Sequence, residues 1–114
     1  MPTQKYMCIH RSVPGQHEAP SPAQMQEMYG AFNAWKDKFK ASILDIGGQL
    51  KPGGKILTAS GLKDGPFMEA KEIVGGYMVV AAENYDNASQ IVRECPGVLS
   101  RPGSSIEIRE MAGP

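Results

Sequence analysis

Three stretches of the chain carry the residues best able to do chemistry. The first is Asp64-Gly65-Pro66-Phe67-Met68-Glu69-Ala70-Lys71-Glu72, four charges within nine residues ahead of an apolar run. Asp-Gly-Pro predicts a stiff turn, because Asp accepts from the backbone two residues on, Gly tolerates positive φ and Pro fixes its own. Two readings stay open. The charges form a salt bridge that fixes strand register, or Asp64, Glu69 and Lys71 rim a small-molecule pocket. In the pocket reading Lys71 binds an anion, and Glu69 or Asp64 is available for proton transfer.

The second stretch is Lys5-Tyr6-Met7-Cys8-Ile9-His10-Arg11, in which Cys8 and His10 share a strand face. The pair can begin a metal site, or His10 can shuttle a proton. Two cysteines and two histidines without ligand spacing favour a buried thiol and a hydrogen-bonded imidazole, and no metal is expected. In the third stretch, Ile106-Glu107-Ile108-Arg109, alternation sets Glu107 and Arg109 on the face opposite the isoleucines. Arg109 can grip a ligand carboxylate bidentately, or pair with a Glu across an interface. Cys95, ahead of Pro96 and far from any histidine, reads as a small hydrophobe rather than a nucleophile. Gly53-Gly54-Lys55 lacks the Ser/Thr and spacing of a phosphate loop. No cofactor is expected.

These residues need elements to hold them. Residues 5–11 read as a strand ended by Val13-Pro14-Gly15. Ser21-Pro22-Ala23-Gln24 is a capping box with Pro at the first helical position, and Met25, Met28, Tyr29, Phe32, Trp35 and Phe39 continue it at helical spacing. That aromatic stripe is expected in the core, on a helix running from 22 to 42. Ile43-Leu44-Asp45-Ile46 reads as a strand before Gly47-Gly48, although periodicity also allows the helix to continue through it. Lys55-Ile56-Leu57-Thr58-Ala59 is a short strand after a turn at Lys51-Pro52-Gly53-Gly54. Residues 73–83 form a central strand, where Gly75-Gly76 predicts a bulge or a close backbone approach. Asn84 or Asp86 caps a second helix with Ala88, Ile91, Val92 and Cys95 on one side, stopped at Pro96-Gly97. Residues 106–109 close the chain as a strand.

With the short strand 55–59 set aside, the β-α-β-β-α-β order predicts an α+β, ferredoxin-like sheet with both helices on one face, in a single domain over residues 1–114. Tyr77, Val79 and Ala81 fall on one side of the central strand and Met78, Val80 and Ala82 on the other. The helices cover one side only. A second copy of the chain is the cheapest cover for the other, so a homodimer is expected.

Composition bounds the function. The 114 residues are 41% hydrophobic, and 12 basic against 12 acidic side chains give no net charge. A pI near 6.7 supplies no field for phosphate backbones, so direct nucleic-acid binding is not expected. No apolar run is long enough to span a bilayer, and the first residues lack a signal peptide's apolar stretch. Two cysteines make no disulfide framework, so a reduced, cytoplasmic protein is the expectation.

The run 64–72 followed by Gly75-Gly76-Tyr77 resembles the signature of the YCII-related family, in the branch named for Asp-Gly-Pro-Phe. Met68 and Ala70 stand where that signature has Ala and Thr. Lys5-Tyr6-Met7, Pro22 to Trp35, Gly48-Gln49-Leu50-Lys51-Pro52, Cys95-Pro96 and Glu107-Ile108-Arg109 extend the resemblance over nearly the whole chain. It implies a ferredoxin-like fold paired as a dimeric α/β barrel, with a strand at 43–46 and a hairpin reduced between 50 and 64. Some relatives use a His–Asp pair with the His on the first helix; no histidine lies between 22 and 42 here. Others are associated with extracytoplasmic-function sigma factors, which points to a regulatory protein partner. Two functions survive: a dimeric module binding a small anionic or hydroxylated ligand or a regulatory partner, and a cofactor-independent enzyme using Asp64, Glu69, Lys71 or His10.

Overall fold

The first helix begins where Ser21-Pro22-Ala23-Gln24 predicts. The computed structural model describes residues 3–12, 21–51, 53–64, 73–96 and 103–112. In it the Gln24 backbone N–H donates to Ser21 Oγ at 3.1 Å and the Ser21 N–H donates to Gln24 Oε1 at 2.8 Å. Both halves of the capping box satisfy donors that a helix start leaves orphaned. The elements are β1 (Gln4–Ser12), α1 (Pro22–Lys38), β2 (Ile43–Gln49), β3 (Lys55–Thr58), β4 (Gly61–Asp64), β5 (Ile73–Ala82), α2 (Tyr85–Arg93) and β6 (Ser105–Glu110).

Helix α1 stops at Lys38, short of residue 42, because Phe39 leaves helical geometry (φ −109°, ψ 24°) and the chain turns before β2. Residues 43–46 are therefore strand, and the strand runs on to Gln49. Asn84, the first of the two alternative caps, starts α2 by accepting from the Asn87 N–H at 2.7 Å.

Strand order in the main sheet is β2-β5-β1-β6, with every neighbouring pair antiparallel. This is an α+β fold with an antiparallel sheet and two helices, compatible with the ferredoxin-like arrangement. Between β2 and β5 the chain inserts β3 and β4, a separate two-stranded sheet pairing Lys55 with Asp64 and Leu57 with Leu62. The hairpin has four residues in each strand.

One buried cluster joins both helices to one sheet face: Tyr6, Cys8, Val80 and Ala82 from the strands, Trp35 from α1, and Ala88, Ile91 and Val92 from α2, with Cys95 beyond it. The Trp35 indole N–H donates to Ile91 O at 2.9 Å. That carbonyl sits in the last turn of α2, where the backbone partner four residues on, the Cys95 N–H, bonds Val92 O instead. The indole caps an acceptor the helix cannot satisfy. Lys38 adds an ion pair to Glu94 at 2.6 Å, which with Gln90 holds the Glu94 carboxyl below its usual range.

The stripe on α1 is only partly core. Trp35 is buried and Phe32 and Phe39 pack beside it, but Met25, Met28 and Tyr29 are exposed, Tyr29 by 62%. Helical spacing sets side chains on one side of α1; it does not supply a surface along the whole length.

Gly75 is the extra residue of a bulge in β5, since His10 pairs with Gly76 and Arg11 with Val74. The close approach lies at Gly76, where a Cβ would stand 2.9 Å from Gly48 O. The glycine pair therefore serves both purposes that the sequence left as alternatives.

Both cysteines are free and buried, and burial pushes each thiol from 9.0 up to about 11. A raised thiol pKa contributes stability that is complete below the unfolded value and lost as pH rises through the folded one. The melting temperature is accordingly expected to fall between pH 9 and 11, and the double variant Cys8→Ala, Cys95→Ala to flatten that slope. Thermal melts across this range check it, and an unchanged slope in the variant would contradict it.

Candidate functional site

Alternation places Lys5, Met7, Ile9 and Arg11 of β1 away from the helices, since Tyr6 and Cys8 face them. Pairing extends this open face across the sheet. Met7 lies beside Arg109 and Val79, Ile9 beside Glu107 and Tyr77, Arg11 beside Ser105 and Val74, and Lys5 beside Ala81. On β2, Asp45 pairs with Val79 and so reaches the same face. The middle is apolar, formed by Met7, Ile9, Tyr77 and Val79, and Tyr77 is 41% exposed. Charges stand around it, with Glu107 and Arg109 on β6, Asp45 on β2, and Lys5 and Arg11 towards the two ends of β1.

At the β6 edge, Arg11 Nη2 and Nε both contact Glu107 Oε1, at 2.9 and 3.0 Å. Arg109 Nε lies 3.9 Å from Glu107 Oε2 and its side chain is 73% exposed. One carboxylate therefore serves two guanidiniums, and Arg109 holds its share loosely. A loosely held guanidinium with free donors is suited to a carboxylate from outside the protomer. Sequence reasoning placed Glu107 and Arg109 correctly. It missed Arg11, which nearly a hundred residues of chain separate from Glu107, a pairing only the register of two strands reveals.

The other candidates lie elsewhere. Asp64 ends β4, is 83% exposed and forms an ion pair with Lys55 across the hairpin base. Glu69 and Lys71, with the turn at Gly65-Pro66, lie outside the described residues. His10 is on the helix-facing side of β1 beside Gly76 and Ile106, and its Nε2 is buried with no hydrogen-bond partner. The hydrogen-bonded imidazole expected there is not what the structure shows, because the flanking positions are a glycine and an isoleucine. Cys8 lies on the same face, with its Sγ 4.0 Å from Tyr6 O. Among the described residues no group of three or more His, Cys, Asp or Glu is gathered to hold a metal. An open depression beside Asn33, Lys36 and Asp37 of α1 and Lys40 in the turn after it gathers none of these candidates.

No helix among the described residues is long and apolar enough to cross a membrane. A model of the YCII-related domain family matches residues 4–112. No curated protein matches the chain.

Proposed function

The chain belongs to the YCII-related domain family, and from that premise we propose that it is a cytoplasmic homodimeric module that binds a small anionic or hydroxylated ligand between two open sheet faces, or docks a regulatory protein. The observation that carries this reading is the open face itself: four strands whose apolar middle no described element covers and whose β6 edge presents Arg109. Two such faces opposed make a dimeric α/β barrel with an apolar interior and cations at its rim. The molecule is 19 Å thin against 44 and 43 Å, and its radius of gyration of 15.8 Å exceeds the roughly 13 Å of a closed domain this size. A layer that thin supports pairing through its broad side.

The run 64–72 is read as the Asp-Gly-Pro-Phe branch signature, with Asp64, Glu69, Lys71 and Arg109 as the ligand-binding residues. The second reading is a cofactor-independent enzyme in which His10, Asp64 or Glu69 transfers a proton, favoured by the unpartnered Nε2 of His10.

Thermal melts of wild type and Lys71→Met, with and without small carboxylates and hydroxylated aromatics, test the binding reading. A ligand at about a hundred times its Kd stabilises by about 2.7 kcal/mol, which is several degrees for a domain this size. We expect such a shift in the wild type and its loss in Lys71→Met. If no compound shifts the wild type, and Lys71→Met only melts earlier, the turn-and-salt-bridge reading of 64–72 stands instead.

A further inference from the structure

The open face has one row that is complementary to itself. Across β6, β1, β5 and β2 the paired residues are Arg109, Met7, Val79 and Asp45: a cation, two apolar side chains and an anion. With strands spaced near 4.8 Å, the two charges stand about 14 Å apart, so they do not neutralise each other within a protomer.

Each end is available. Arg109 lies 3.9 Å from Glu107, whose other oxygen is taken twice by Arg11. Asp45 Oδ1 accepts the Gly47 N–H at 2.8 Å, which holds the exposed carboxylate in place. Among the described residues Asp45 has no ion-pair partner.

We propose that a second copy of this chain covers the open face about a two-fold axis parallel to the strands, so that Arg109 of each protomer pairs with Asp45 of the other. This rests on the dimeric reading above and adds its geometry. Rotation about an axis along the strands reverses the strand order of the second sheet, bringing the β6 edge of one copy to the β2 edge of the other. Both ends of the row then meet opposite charges, and Met7 and Val79 face an apolar counterpart. A two-fold axis across the strands would set Arg109 against Arg109 and Asp45 against Asp45, and like charges oppose that packing. The two pairs sit at the seams and leave the apolar middle to enclose a ligand. Arg109, with five N–H donors, can keep the partner carboxylate and still offer donors to a bound anion.

Sedimentation equilibrium of the full chain tests this with Arg109→Glu, Asp45→Lys and the double exchange. Each single variant breaks both symmetric pairs, and we expect it to weaken the dimer at least about tenfold, near 1.4 kcal/mol. The double exchange should return the dissociation constant to within about threefold of wild type. Asp45→Asn guards against a folding defect: it keeps the acceptor for Gly47 while removing the charge. We expect it to weaken the dimer without changing the circular dichroism spectrum. Single variants with wild-type affinity, or a double exchange no better than its parents, would overturn the pairing while the dimer itself stood. A wild type sedimenting near 12.3 kDa at every concentration would remove the dimer and the pairing together, leaving the face to another protein.

Discussion

Gly47→Ala is expected to cost about 3 kcal/mol or more, whereas Gly48→Ala, one residue on, should be neutral or slightly stabilising. Gly47 has φ +66°, and a Cβ there would lie 1.8 Å from Tyr77 O and 3.0 Å from Tyr77 Cδ2. A left-handed Ala alone costs about 1–2 kcal/mol, and overpacking typically adds about 1–3. Backbone on β5 cannot yield as a flexible side chain does, so β2 must lift away from it. At Gly48 a Cβ meets nothing within 4 Å, and Ala there removes freedom from the unfolded chain, a gain of about 0.4–1 kcal/mol. Urea melts of both variants at one protein concentration check this. Two variants of equal stability would show that the approach to Tyr77 does not constrain β2.

Trp35→Ala should cost about 3–5 kcal/mol, the usual range for truncating a buried large aromatic. Trp35 is 4% exposed and packs its ring 5.6 Å from that of Phe32 and 6.4 Å from that of Phe39. It is also the one side chain of α1 that is fully within the core. Losing it removes the anchor of α1 together with the donor to Ile91 O. Trp35→Phe separates the two effects: it keeps most of the packing and should cost only about 1–2 kcal/mol, chiefly the unmet carbonyl. Trp35 is the chain's single tryptophan, so the melts are read by circular dichroism. Equal losses in the two variants would place the whole effect in the hydrogen bond.

These two residues also show how far the sequence could be read. Trp35 lies on a stripe with a capping box ahead of it, and local signals of that kind survive into the structure because their partners are three or four residues away. Gly75-Gly76 was legible for a similar reason: two glycines inside an apolar strand fit poorly unless the backbone deviates there. Gly47 was read only as the end of a strand. Its positive φ answers to the Tyr77 carbonyl, thirty positions on, and to the Asp45 side chain that receives its N–H. No local signal carries the first of these. Met25, Met28 and Tyr29 mark the same limit from the other side, because spacing predicts a shared face and not what that face meets.

The site divides in the same way. Glu107 and Arg109 were placed on the open face by strand alternation alone. The Arg11 contact and the position of Asp45 depend on which strands become neighbours, a property of the whole sheet. His10 shows the limit of composition: a lone histidine on a core-facing position reads as satisfied until its neighbours prove to be Gly76 and Ile106.

Strand β1 lies between β5 and β6, and this has a consequence during synthesis. Its nine residues leave the ribosome well before their partners at 73–82 and 105–110. At about 5–20 residues per second, β1 waits several seconds or longer for β6. Until β5 emerges, Tyr6 and Cys8, buried in the finished fold, have no sheet to enter, and until β6 follows, the N–H and C=O groups on the strand's outer side are open to any passing edge. Contacts of such long sequence separation also slow refolding of the complete chain. Nascent chains stalled after α2 but before β6 are therefore expected to be the aggregation-prone form, and a holdase that binds extended apolar strands would act on β1 before any other element.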